Sequence, residues 1–344
     1  MVGFVMRRFL YMVPILCIVT LIIFLLMYFQ PGNIVDKLCG LSCPKDRRVV
    51  LEKKYGLDQP WFVQYGKWIS GVLPIAISAE PPYVQFKEPD FGWSPGRTMP
   101  AWQALVSENR WLYTLLLITV GMLFSWAIAV PIGIYSATHK YSAADHSFTF
   151  LGFLGLSIPN FILGLSFFWV MVGLLKVGNI DPFFQMGGFL NPECQGKPLT
   201  LYCGLNFLWH FMPAVLILTA ANTAAIIRYM RGSLLDVLDM EYVQTARAKG
   251  LTERIVIYKH AVRNAINPLI SMLGFWIPVM LEGALIIAWV FNLPQIERTF
   301  LEAIENRDNT VVMTGLFVFS IILLLGNLVA DILLALSDPK IRYD

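Results

Sequence analysis

Few residues in this chain have both the type and the setting to do chemistry. Glu282 lies centrally in the run 269–292, which holds no other charge. Asn160 follows Pro159 in a second apolar run, Asn222 and Thr223 lie in a third, and Asn327 and Asp331 stand one turn apart in a fourth. An ionisable group in such surroundings is costly, so it either lines a path for water and solute or bonds to a neighbouring helix. For Glu282 both roles stay open. For Asp331 and Asn327, and for Asn222, hydrogen bonding between helices is the simpler role. The step Pro159-Asn160 kinks its run and offers backbone to a cavity, and His210 reads as an interfacial residue. The patterns of catalysis are missing: no Gly-x-x-x-x-Gly-Lys-Ser/Thr phosphate loop, no His-Glu-x-x-His and no Gly-x-Ser-x-Gly elbow. Cys17, Cys39, Cys43, Cys194 and Cys203 contain no Cys-x-x-Cys and match no zinc spacing. No catalytic residue and no metal site is expected.

These groups must be held by elements built for a bilayer. The chain is 57% hydrophobic and only 14% charged, where soluble domains carry about a quarter charged residues. Its formal net charge of +3 is too small and dispersed for a nucleic-acid partner. Crossing a bilayer takes about 20 mostly apolar residues, and six windows qualify: 9–29, 112–136, 147–175, 205–230, 269–292 and 311–336. The fold class is therefore an all-α membrane protein with six transmembrane helices. Its segments are an N-terminal span (1–29), a long loop (30–111) and a five-helix core (112–344). The first run is longer than a leader peptide's apolar core and lacks a small-x-small cleavage site, so it reads as a retained helix.

Orientation follows from the basic residues of the short loops. Arg7, Arg8, Lys140, the seven between Arg228 and Arg263, Lys340 and Arg342 fall on one side, against Lys197, Arg298 and Arg307 on the other. Both termini are thus expected in the cytoplasm, with 30–111 outside. In that loop Trp61, Phe62, Tyr65 and Trp68 recur at roughly helical spacing, which fits a small cap on the bilayer surface or, alternatively, a loosely ordered loop. Cys194 and Cys203 face the outer side, where a local disulfide between them persists if it forms; free thiols are the alternative. Cys39 and Cys43 are too close in sequence to assign.

The inward segment 228–268 carries the densest local signal. Residues 241–249 are good helix formers and end at Gly250, suited to a left-handed stop. Thr252 can cap a second helix with Glu253 in its first turn, and Asn267-Pro268 breaks the chain before the fifth span. Tyr242, Ala246 and Lys249 share one face at i, i+4 and i+7. The physical reading is a helix–glycine–helix elbow, serving as an exposed docking helix or as an amphipathic surface helix.

The stretch 241–250, Glu-Tyr-Val-Gln-Thr-Ala-Arg-Ala-Lys-Gly, followed by His260-Ala-Val-Arg-Asn264 and Pro268, resembles the coupling loop of permease subunits of ABC importers, in the dipeptide and oligopeptide branch. The resemblance runs along nearly the whole chain: Arg7-Arg8, Pro31-Gly32, Gly56-Leu57-Asp58 with Pro60, Gln64-Tyr65, Asp90-Phe91-Gly92, Arg307-Asp308 and the tail from Asp338 to Arg342. It implies the type I ABC importer permease (MetI-like) fold with an extracytoplasmic loop domain after the first helix. Glu241, Tyr242, Thr245, Ala246, Arg247, Ala248, Lys249 and Gly250 would form the loop that couples to ATPase subunits, with Glu282, Asn160 and Asn222 as pathway candidates. The implied partners are a second homologous permease, two ATPase subunits that carry the ATP and magnesium, an external solute-binding protein and the lipid bilayer of a prokaryotic inner or plasma membrane. This chain would itself bind no cofactor. Peptides are the default solute, with oligosaccharides and nickel as alternatives within the branch.

The sequence departs from the family pattern at several positions. The loop's usual glutamate and first alanine fall at Gln244 and Thr245, Pro294 to Glu297 replaces Pro-Gly-Leu-Gly, and Ala288 stands where an acid is common. A rival from another class, an ion-coupled secondary transporter, would call for several intramembrane acids and inverted repeats. One central glutamate and no visible repeat are present. An intramembrane enzyme would need a catalytic pair within the spans, and none is found.

Overall fold

The structure, a computed structural model, describes residues 2–30, 35, 44–77, 84–176, 184, 187–196 and 200–337. Cys39, Cys43, the Pro31-Gly32 step and the tail motif from Asp338 lie outside the described residues. Among those described, five helices are long and apolar enough to cross a bilayer: Gly3–Phe29, Ala101–Thr138, Leu201–Ala220, Leu273–Val290 and Asn309–Ser337. The third span expected, at 147–175, is a pair of helices, Ala143–Ser157 and Asn160–Leu174, bent by 92°, which makes up to six spans if the pair counts as one.

The cause of that bend is local. A proline disfavours the helical conformation of the residue before it, and Ile158 is extended at φ −98° and ψ 117°. Pro159 then holds the N-cap position of the next helix, its carbonyl accepting from the Ile162 and Leu163 N–H groups. Pro14, Pro131, Pro213 and Pro278 sit inside their helices without ending them.

Two compact units cut across the three segments read from the sequence. The first comprises Met1–Arg7, Leu112–Arg298 and Leu323–Asp344; the second comprises Arg8–Trp111 and Thr299–Ile322. In the second unit, α1 (Val2–Phe29) precedes α2 (Lys45–Tyr55), α3 (Trp61–Val72), the hairpin β1–β2 (Ile75–Ile77, Val84–Phe86), the short ribbon β3–β4 (Trp93–Ser94, Met99–Pro100) and α4 (Ala101–Val106). The expected helical spacing is realised in α3, with Tyr65 and Trp68 packed on Phe24 and with Trp61 and Phe62 exposed.

The first unit holds most of α5 (Arg110–Thr138), then α6 (Ala143–Ser157), α7 (Asn160–Phe168, continued by a wider turn to Leu174) and α8 (Leu201–Leu238). Beyond α8 come α9 (Glu241–Ala248), α10 (Glu253–Ile255), a π-helical turn Val256–Ala261, α11 (Val262–Ala265), α12 (Asn267–Ser271) and α13 (Leu273–Val290). α14 (Ile296–Glu305) and α15 (Asn309–Ser337) complete the chain. The 38 residues of α8 make it about 57 Å long at the usual rise per residue, nearly twice the hydrocarbon thickness of about 30 Å. Residues 228–238, expected in a loop, therefore continue the span as rigid helix. Small residues permit the close approaches within this unit: a Cβ on Gly133 would stand 2.6 Å from that of Met230, and one on Gly274 would collide with Asn327.

Candidate functional site

The elbow is folded much as its residues dictate. Helix α9 ends at Ala248 with Lys249 as its C-cap, and Gly250 takes φ +76°, with its N–H donating to the Arg247 carbonyl at 2.9 Å. Thr252 holds the N-cap position of α10, but its side chain caps nothing. Glu253 instead turns back to Arg247, with Nη2 to Oε1 at 2.8 Å. That hydrogen bond holds the Arg247 guanidinium above its usual pKa and the Glu253 carboxyl below its own.

One expectation needs correction. Tyr242, Ala246 and Lys249 do not form an open face: Ala246 is only 7% exposed and joins Val243, Leu238, Val256 and Ala261 in the unit's core. Tyr242 is exposed, but its hydroxyl accepts from Asn264 Nδ2 at 2.7 Å. The open crest is Glu241, Gln244, Thr245, Ala248 and Lys249. The apolar face of an eight-residue helix cannot stay in water when a core lies beside it, so the small alanine turned inward.

Behind the elbow the anchoring is polar as well as apolar. Arg231 on α8 makes a bidentate pair with Asp145 on α6, Nε–Oδ1 and Nη2–Oδ2 both at 2.9 Å. Ser142 caps α6 by accepting from the Asp145 N–H, and the Tyr141 N–H donates to the Asp145 carboxylate. Ser233 on α8 donates to the Ala265 carbonyl at 2.8 Å. A cleft of about 1310 Å³ opens beside the elbow, edged by His139, Lys140, Arg247, Glu253, Arg254 and Tyr258. The Asp145–Arg231 pair escaped sequence reasoning because its partners lie 86 positions apart and neither belongs to a motif.

The pathway candidates separate. Glu282 is exposed halfway along α13, with no ion-pair or hydrogen-bond partner among the described residues. Asn160, first residue of α7 after the right-angle bend, lies over Gly283: a Cβ there would be 3.2 Å from Asn160 Nδ2. Asn160 Oδ1 is buried without a partner. Asn222 does not join them. It is 4% exposed and donates to the Leu218 carbonyl of its own helix at 3.3 Å, the usual way a polar side chain satisfies itself in apolar surroundings.

Two further groups mark the end of the unit away from the elbow. Cys194 and Cys203 are joined, S–S 2.04 Å and Cα–Cα 5.5 Å. Glu297, noted from sequence only as a departure, is fully buried; Oε2 accepts from Thr114 at 2.5 Å and Oε1 has no partner. Burial pushes its carboxyl up to about 7, against the smaller opposing effect of the Thr114 bond.

With this geometry in place, the comparisons decide the family. Residues 129–343 match the binding-protein-dependent transport system inner membrane component, and residues 1–117 match that family's N-terminal region. The chain belongs to this family. As a permease of that family it is 33% identical, over the full length of both chains, to the oligopeptide transport system permease protein AppB of Bacillus subtilis (strain 168). It is 30% identical over both full lengths to the glutathione transport system permease protein GsiC of Salmonella typhimurium. Against the dipeptide transport system permease protein DppB of Escherichia coli (strain K12) identity is 29%, covering all of this permease and 99% of the relative.

Proposed function

We propose that this permease forms, with a second homologous permease, the membrane pathway of an ATP-driven importer for peptides. Two ATPase subunits act on its elbow from the cytoplasm, and an external solute-binding protein delivers the solute to the opposite side. Both chain termini are cytoplasmic. The observation that supports this most is the construction of the elbow. Its inner face, Val243 and Ala246, shares a core with α8, while Glu241, Thr245 and Ala248 stand free. A push on the crest is passed to α8 through packed side chains and through the Ser233–Ala265 bond, and α8 runs on into the bilayer as one helix. Coupling of this kind shifts the balance between two global states. The full-length similarity to oligopeptide, dipeptide and glutathione permeases supports peptides as the solute class.

The test is reconstitution. The complex purified through this chain should retain ATPase subunits and accumulate labelled oligopeptide in proteoliposomes only with ATP and the loaded binding protein. Accumulation driven by an ion gradient without ATPase subunits would overturn the reading.

A further inference from the structure

The two faces of α13 differ in kind. One face, with Trp276, Met280, Ala284, Ile287 and Ala288, is buried in this chain's own core. The other, Phe275, Val279, Glu282, Ile286 and Trp289, follows a 4-3-4-3 spacing, and all but the half-buried Val279 are exposed. Exposed residues on other membrane helices form stripes suited to lipid: Phe161, Ile162, Leu165 and Trp169 along α7, or Leu325, Val329 and Leu333 along α15. Glu282 breaks that rule at mid-span. A carboxylate facing hydrocarbon costs several kcal/mol, so this face meets water or a counter-charge. Among the described residues no counter-charge pairs with it. Helix α13 has no basic residue, and Glu282 has no ion-pair or hydrogen-bond partner among the described residues.

Resting on the proposed function, in which this permease forms the membrane pathway, we propose that α13 lines that pathway and that Glu282 is a cation-selecting residue, taking the protonated amine of the passing solute. An exposed carboxylate without an ion-pair partner accepts from an ammonium group and repels another carboxylate. Phe275 and Trp289, two turns either side of Glu282, offer aromatic faces that tolerate both a cation and apolar side chains. A solute with a free amino terminus and variable side chains fits such a wall. An N-acylated or anionic solute does not.

The experiment uses the assembled complex in nanodiscs. With Cys17, Cys39 and Cys43 replaced by serine, Ile286→Cys places a thiol one turn from Glu282. Its modification by 2-aminoethyl methanethiosulfonate is compared with that by the 2-sulfonatoethyl reagent. The cationic reagent should react about tenfold faster in relative terms, as expected of one nearby charge in a partly screened site, and Glu282→Gln should abolish the preference. Two results overturn the proposal: a thiol that reacts with neither reagent, which would place the stripe against lipid or a partner subunit, or a preference unchanged by Glu282→Gln. Failure of the underlying reading is separate. It would show as wild-type complex that accumulates no oligopeptide with ATP and binding protein, whatever the thiol reactivity.

Discussion

The elbow of the first unit and the loop region of the second are both small, polar-looking stretches outside the spans, yet they are held together in opposite ways. The elbow is local. Val243, Ala246, Val256 and Ala261 lie within twenty residues of one another and share a core, and a single glycine sets the turn. The loop region has strands of only three and two residues and depends on distant anchors. Asp308 accepts from Ser94 Oγ at 2.5 Å, from the Gly96 N–H at 3.2 Å and, at the start of α15, from the Val311 N–H. Arg97 pairs with Glu302, and Arg110 donates to Thr299. Rings complete it, with Phe91 packed between Trp102 and Phe317. Short-range cores make a segment that moves as a piece, whereas long-range polar anchors make one whose order depends on a few side chains. Coupling suits the first arrangement.

The largest expected break in this comparison is Ala246→Glu. An uncompensated charge in the shared core should cost about 3–5 kcal/mol, visible as loss of amide exchange protection across α9 and as lost transport at matched expression. Ala246→Ser should be far milder. An unaltered exchange pattern in Ala246→Glu would contradict the inward placement of that residue.

Next is the contrast between two buried acids, Asp308 with three donors and Glu297 with one side-chain donor. Glu297 titrates near 7 in the fold but near 4.5 when exposed, so between those values the folded protein keeps a proton that the unfolded chain releases. Stability is full below about pH 4.5, falls as pH rises toward 7 and levels off above it, a loss of about 3 kcal/mol. Glu297→Gln should flatten this part of a Tm-against-pH profile. A parallel profile in the variant would dispose of the assignment.

Asp308→Ala should cost about 2–3 kcal/mol by stranding the donors of the buried Ser94 and Val311. The loss should appear as faster proteolysis and exchange in residues 93–100, with the elbow unaffected. Gly250→Val follows at about 1–2 kcal/mol. No atom lies within 4 Å of the Cβ it would carry, so the cost is conformational strain at positive φ alone. Gly250→Asn, which tolerates that region better, should recover much of the uptake lost in Gly250→Val. The smallest effect should be Glu253→Gln. Its pair with Arg247 is solvent-exposed, and such pairs contribute under about 1 kcal/mol; a thermal shift beyond a few degrees would show that the pair does more than decorate the turn.

Sequence alone determined what depends on neighbours along the chain. Apolar length located the membrane helices, because the bilayer imposes a thickness on any segment that crosses it. Gly250 and the residues before it set the elbow, because a left-handed stop needs only the local backbone. The position of Glu282 within its run was likewise readable. Tertiary structure decided the rest. Pro159 marks a right-angle break while Pro14, Pro131, Pro213 and Pro278 stay inside their helices, a difference that the residue type alone does not report. Ala246 turned inward, and Asn222 satisfied itself on its own helix, because each found a buried apolar surface that no spacing rule reports. Asp145 met Arg231, and Asp308 met Ser94, across 86 and 214 residues, a distance over which sequence carries no contact information. Which face of α13 stayed open was settled in the same way. Burying Trp276 and Met280 on one side left Glu282 on the other.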